Sequence, residues 1–360
     1  MPFTFQSILI NEALPDGRNP FGSLCRAKVI RPQRDDNFVL QIKPQFRNKG
    51  SFRCAKAMVT TMIIQKHHEI FIGCEKEYCE ADIVLFGAPF DGTVSYRPGT
   101  RFGPRAIRSE SFGLETYSPY QDADLEEASV CDLGDLELGF GNPTAVISAV
   151  EKAASELLND GKLPFLFGGE HLVTLGAVRA AYQKYPDLHL IHIDAHTDLR
   201  EEYLGETLSH ASVIRRCHDF LGDGRIHQFG IRSGERAEFA FAKEHTALIP
   251  FSFSGLSEKL ETLREKPVYL TVDLDVMDPS VFPGTGTPEP GGVSFDALRQ
   301  ATESICRHTT VIACDMVELS PPYDASGIST AAACKLTREM LIALKQARKS
   351  ADIRKPADKD

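Results

Sequence analysis

The stretch Leu190–Arg200, LIHIDAHTDLR, begins as a buried strand and ends in acid and imidazole. Leu190, Ile191 and Ile193 supply the apolar run, and Asp194, His196 and Asp198 then fall at every second position. Residues two apart on an extended chain project from one face. The spacing therefore predicts that the three polar side chains converge at the end of a core strand.

The same arrangement recurs along the chain. Short apolar runs at 83–86 (IVLF), 164–167 (PFLF), 188–193 (LHLIHI), 268–272 (VYLTV) and 311–313 (VIA) read as buried strands. Helix-like segments lie between them at 144–158, 173–185, 295–306 and 331–347. Strand and helix in alternation from about residue 82 predict an α/β domain around a largely parallel sheet. In such sheets ligands sit beyond the carboxyl ends of the strands. Four strand ends carry polar residues of one kind: Gly168-Gly169-Glu170-His171, the 194–198 segment, Asp273-Leu274-Asp275, and Cys314-Asp315-Met316-Val317-Glu318.

His171 and His196, with Asp194, Asp198, Asp273 and Asp275, bring two imidazoles and four carboxylates near one point. Four carboxylates so close either take up protons, with raised pKa values, or hold metal. Oxygen-rich ligation with two imidazoles suits Mn²⁺ or a similar divalent ion better than structural zinc, which favours thiolates. Six ligands are used economically by two ions. His189 and His192 lie inside the strand and read as packing or hydrogen-bonding residues; the adjacent His67 and His68 read as exposed. Gly168-Gly169 makes a poor phosphate cradle, because Glu170 would repel an anion and no Walker lysine follows.

Composition bounds the function classes. The chain has 360 residues, 42% hydrophobic and 25% charged, enough to bury a full core. No apolar run approaches the roughly 20 residues of a membrane-spanning helix, so no membrane partner is expected. The nine cysteines (25, 54, 74, 79, 131, 217, 306, 314 and 334) are scattered and include no C-x-x-C pair. With no signal-peptide pattern, they predict reduced thiols in a cytoplasmic protein. The net charge of −10 is unevenly shared: residues 1–57 hold ten Lys/Arg and four Asp/Glu, a charge of +6, which leaves −16 for 58–360. Three readings of the basic 1–57 extension stay open: a poorly ordered tail, an organellar transit segment, or sequence upstream of a true start at Met58 or Met62. A charged tail is expected over 348–360. The acidic body, and basic residues not organised with aromatics, give no support to nucleic-acid binding.

GGEH at 168–171, DAHTD at 194–198 and DLDVMDPSVFPGTGTPEPGG at 273–292 resemble the ureohydrolases, the family of arginase, agmatinase and their relatives. GAPFDGTVSYRPGTRFGPRAIR at 87–108 and DMVELSPPYD at 315–324 carry the same resemblance, which runs from about residue 70 to 347. It implies a single three-layer αβα domain of the arginase type, two Mn²⁺ per subunit, and assembly as a trimer or hexamer. It also implies hydrolysis of a guanidinium group to urea and an amine. Carried over position by position, it assigns one ion to His171, Asp194, Asp198 and Asp273. The other takes Asp194, His196, Asp273 and Asp275, with Asp194 and Asp273 bridging. Glu170 departs from the Asp that many members have in GGDH, and implies a change beside the ligand without loss of metal.

The expected chemistry is attack of a metal-bridging hydroxide on the guanidinium carbon. Glu318 resembles the family carboxylate that pairs with the guanidinium and fixes its approach. His210, in Leu208-Ser209-His210-Ala211-Ser212, matches the family histidine assigned to proton transfer to the leaving amine. Arg200 stands in the region where arginases have an Asn that helps to hold the amino acid's α-carboxylate and α-amine. The loop Arg200-Glu201-Glu202-Tyr203-Leu204-Gly205-Glu206 and the SHAS sequence are similar to agmatinases of the bacterial type. The expected reaction is agmatine plus water to putrescine and urea. The alternatives are another guanidino substrate, such as guanidinobutyrate or arginine, and a catalytically silent member acting as a binding partner.

Overall fold

The protein is described by a computed structural model over residues 69–354. The readings of the 1–57 extension, of a start at Met58 or Met62, and of His67 and His68 lie outside the described residues, as does the end of the 348–360 tail.

Among the described residues ten strands follow in chain order: β1 (Ile83–Ala88), β2 (Tyr117–Ser118), β3 (Ala123–Asp124), β4 (Val130–Asp135), β5 (Leu163–Gly168), β6 (His189–Ile193), β7 (Ile226–Ile231), β8 (Ala247–Pro250), β9 (Pro267–Asp273) and β10 (Thr310–Val317). β2 and β3 form a short antiparallel ribbon. The other eight form one sheet in the order β4-β1-β5-β10-β9-β6-β7-β8, and every neighbouring pair in it is parallel. The expected largely parallel sheet is thus parallel throughout.

Alternation along the strands divides the core into two layers. Ile83 and Leu85 of β1, with Phe165 and Phe167 of β5, face one side, where they pack with Ile107, Leu298, Ile305 and Leu341. Val84 and Phe86, with Leu166, face the other, against Val146, Val150, Val178 and Ile214. Those partners belong to the helices Gly103–Ser111, Phe295–His308 and Ile328–Arg354 on the first side, and Pro143–Asn159, Thr174–Lys184 and Val213–Leu221 on the second. The result is the three-layer αβα arrangement. Buried on both faces, the central strands read as continuous apolar runs.

Strand order decides where a site can form. β5 and β6 are consecutive in the chain, yet β10 and β9 lie between them. This is a topological switch point, where loops leave neighbouring strands in different directions and open a crevice. The GGEH loop enters that crevice directly from β5. Gly169 N donates to Ala88 O at 3.0 Å and Glu170 N donates to Phe90 O at 2.8 Å. A Cβ on Gly169 would lie 2.0 Å from Phe90 O, so only glycine permits this approach.

Candidate metal centre and active site

The eight predicted site residues come from the ends of β5, β10, β9 and β6, the four contiguous strands at the centre of the sheet, and from the 200s loop. His171 opens a 3₁₀ turn after β5, and Asp273 is the last residue of β9. Asp275 lies in the 3₁₀ turn Leu274–Val276, and Glu318 directly follows β10. The strand-face expectation for 194–198 needs correction. β6 ends at Ile193, and Asp198 has φ of 52°, so these side chains converge through a looped segment and not through a pleat. Isolated pairing of His196 with Ser233 holds the loop in place.

Distances define two linked donor sets. His171 Nδ1 lies 3.1 Å from Asp194 Oδ2, 3.1 Å from Asp198 Oδ2 and 3.4 Å from Asp273 Oδ2. His196 Nδ1 lies 3.0 Å from Asp275 Oδ2 and 3.5 Å from Asp194 Oδ1. The two oxygens of Asp194 therefore face different imidazoles. Thr271 Oγ1 donates to Asp315 Oδ1 at 2.6 Å and lies 2.9 Å from His171 Nε2. Its single hydrogen being spent on Asp315, Thr271 can only accept from His171, which fixes the hydrogen on Nε2. Nδ1, buried and without a hydrogen-bond partner, is left facing three carboxylate oxygens. Such a position suits a cation held by one imidazole and several carboxylates.

Charge in the cluster is strongly coupled. Burial, with Asp194 beside it, pushes Asp198 up to about 7. Burial, then Asp275 and Asp194, raise Asp273 well above the usual carboxylate range. Asp194 goes the other way: against its burial, His192, with His171 and His196 close by, holds it well below that range. His171 and His196 are raised despite burial because carboxylates surround them. The cluster draws positive charge from protons where nothing else supplies it. The residues present fit a metal centre, with two groups of donors close enough to share an ion.

A pocket of about 290 Å³ opens onto this cluster. His171, His196, Asp198, Asp273, Glu318 and His210 all line it. Glu318, at φ of 66°, accepts from His171 N through Oε1 at 2.8 Å. Burial, then the Glu170 and Asp275 charges, push its carboxyl well above the usual range. His210 donates its backbone N–H to Thr93 Oγ1 at 3.1 Å, and its ring meets Tyr203 edge-on at 5.8 Å. Burial, then His196, lowers the His210 imidazole to about 4. At the pocket mouth Arg200 lies 3.0 Å from Glu235 Oε1 and 3.6 Å from Glu238 Oε2, its guanidinium over the Tyr203 ring at 4.5 Å.

Several residues support the cluster from around it. His192, read as a packing or hydrogen-bonding residue, bonds the central acid: its Nε2 lies 2.7 Å from Asp194 Oδ2, and Gln228 Nε2 donates to its Nδ1 at 3.0 Å. Its position two before Asp194 was the available signal. Arg232 clamps the turn that carries Asp275, donating to the carbonyls of Asp275 at 2.8 Å and Val276 at 3.0 Å. Glu170 is fully buried and takes the Thr93 hydroxyl at 2.6 Å, so it reaches His210 through one residue. Thr93 lies within the 87–108 motif and Thr271 within the VYLTV run, but nothing in the sequence pairs either of them, or Arg232, with its partner, because those partners are remote in the chain.

A family model described as Arginase family matches residues 81–343. Agmatinase of Bacillus subtilis (strain 168) is 46% identical over 277 residues, 76% of this chain and 96% of that protein. Guanidinobutyrase of Pseudomonas aeruginosa is 37% identical over 278 residues, 73% of this chain and 86% of that one. The crystal structure of agmatine ureohydrolase of Thermoplasma volcanium matches with a TM-score of 0.72 and 37% identity, covering 79% of this chain and 97% of that chain. The chain belongs to the arginase family. It is an enzyme of the ureohydrolase class whose motifs its sequence carries.

Proposed function

We propose that the protein hydrolyses agmatine to putrescine and urea at a centre of two manganese ions. The observation that carries this reading is the unpartnered His171 Nδ1 within a ring of three carboxylate oxygens, in a pocket also lined by Glu318 and His210. His171, Asp194, Asp198 and Asp273 would hold one ion, and Asp194, His196, Asp273 and Asp275 the other. The split of the Asp194 oxygens between the two imidazoles supports its bridging role. When bound, the ions supply an activated water and positive charge for the developing tetrahedral carbon.

The chain's own residues do the rest. Glu318 pairs with the guanidinium and fixes the angle at which its carbon meets the nucleophile. An arriving cation relieves the repulsion that Glu170 and Asp275 impose on Glu318, so binding and positioning draw on the same charge attraction. His210, neutral at physiological pH, accepts a proton on its ring and returns it to the departing amine.

Tail selection follows from charge at the mouth. Arg200 would suit a carboxylate tail, which favours a guanidino acid as the second reading. Glu235 and Glu238 already flank Arg200, however, and two carboxylates against one guanidinium leave the mouth negative. That balance favours the ammonium end of agmatine. Urea release from agmatine, arginine and guanidinobutyrate at equal enzyme concentration tests the proposal. The expected order puts agmatine first by kcat/KM, and a preference for guanidinobutyrate or arginine overturns it.

A further inference from the structure

A second cluster of metal-type donors lies at the surface, sharing no residue with the pocket lining. His218 Nε2 and His245 Nδ1 each lie 2.8 Å from Asp223 Oδ1. One donor atom from each of the three residues falls within 4.8 Å of the others. We propose that His218, Asp223 and His245 form a transition-metal site of the Zn²⁺ class, with water completing the coordination shell.

The scaffold holds these donors in place before any ion arrives. His218 lies near the C-terminal end of the Val213–Leu221 helix, and His245 ends the Arg236–His245 helix. The turn Gly222-Asp223-Gly224 is tied to both ends: Gly222 N donates to His218 O at 2.9 Å, and Gly224 N donates to His245 O at 3.2 Å. Both glycines have positive φ, 77° and 74°, which directs the turn back between the two helix ends. Phe241 restrains the rings, meeting His218 edge-on at 4.9 Å and lying 4.3 Å from His245.

Chemistry and field both favour a cation here. Two imidazoles and one carboxylate are a borderline-soft donor set suited to Zn²⁺, Co²⁺ or Ni²⁺ and poorly suited to Mg²⁺ or Ca²⁺. With metal–ligand bonds of about 2.0–2.1 Å, a tetrahedral ion needs ligand edges of about 3.4 Å. The 2.8 Å separations must open by roughly half an ångström, a small side-chain rotation. Both helices end at the cluster, and their C-terminal carbonyls add negative potential. The Asp223 side chain is 66% exposed, which gives the ion entry from solvent. On binding, each ring moves the proton that faces Asp223 to its other nitrogen, and the freed lone pairs and the carboxylate bind the ion.

The test begins with full-length protein loaded with Mn²⁺, titrated with Zn²⁺ and freed of unbound metal. Both elements are then counted in the wild type, His218→Asn and His245→Asn. One Zn²⁺ per chain is expected in the wild type with no loss of Mn²⁺, and none in either variant. Zinc gained only at the expense of manganese overturns the proposal, as does an equal zinc count in all three proteins. Co²⁺ added to the Mn²⁺-loaded wild type gives a readout that needs no variant. It should develop the visible d–d bands of a four-coordinate site, which Zn²⁺ removes; absence of those bands is a second refutation.

Discussion

Replacing Thr271 with valine keeps the shape of the residue and deletes one oxygen that serves two buried partners. Thr271 Oγ1 accepts from His171 Nε2 at 2.9 Å and donates to Asp315 Oδ1 at 2.6 Å. Thr271 is fully buried, so no water replaces the hydroxyl. Orphaning a buried polar group costs about 1–3 kcal/mol. Asp315 keeps the Tyr269 hydroxyl at 2.6 Å, so its loss falls at the low end, while the His171 Nε2–H is left without an acceptor. Thr271→Val should destabilise the metal-free protein by about 2–4 kcal/mol, measured by urea unfolding. The larger consequence is for the metal. With Nε2 unanchored, the ring no longer holds Nδ1 against the three carboxylates, and loss of such a support weakens metal binding by about 10- to 100-fold. Urea release titrated against Mn²⁺ reads this as a rise in the half-activating concentration. Tyr269→Phe is the control: it removes the other bond to Asp315 without touching His171, and should lower stability while leaving that concentration unchanged. If Thr271→Val lowers stability but leaves Mn²⁺ activation where it was, His171 is not a ligand oriented by Thr271.

Other predictions address separate links. His210→Ala should retain both ions and lose about 10²- to 10⁴-fold in kcat; loss of manganese in this variant, seen by elemental analysis, assigns the residue to the metal instead. Glu235→Gln removes one charge beside Arg200 at an exposed position, so the KM for agmatine should rise by about 2- to 5-fold with kcat unchanged. No change in KM refutes the role of mouth charge. His227 carries a pH signature outside the active site. Burial, then Lys259 and His189, lower its imidazole to about 3, below the ordinary value of about 6.5. The unfolded chain therefore takes the proton first, so this stabilisation is complete above pH 6.5 and is lost as pH falls toward 3. Acidification from pH 7 to 5 should cost about 2 kcal/mol through this residue. His227→Gln should show an unfolding free energy that falls less steeply over that interval; equal slopes count against the assignment.

Local pattern made the candidate site legible, and distant pairing hid its supports. The apolar runs ending in Asp194, Asp273 and Glu318 marked three of the central strands because strands buried on both faces leave an unbroken signal. β7, IHQFGI, mixes polar residues into a buried strand: its His227 and Gln228 are spent on His189 and His192 across the sheet. β8, ALIP, lies at the sheet edge and has only four residues. Neither carries a clear periodic signal. Convergence of Asp194, His196 and Asp198 was legible from their spacing, although the physical route differs, since the positive φ of Asp198 belongs to a loop. The Glu170 departure was visible in sequence, but its bond to Thr93 crosses 77 residues and needed the fold.

The order of strands has a consequence for how the chain folds. β5 and β6 are consecutive in the chain but do not pair: β9 and β10, which begin 74 and 117 residues after β6 ends, have still to take their places between them. Until then both strands present open edges, which invite pairing with other chains. Insertion is a long-range event and therefore slow. It also brings Asp273 and Asp275 up against Asp194 for the first time, so the closing step of sheet assembly is the one that builds up carboxylate repulsion. A divalent ion held by the proposed centre would offset that repulsion and so act as a folding partner.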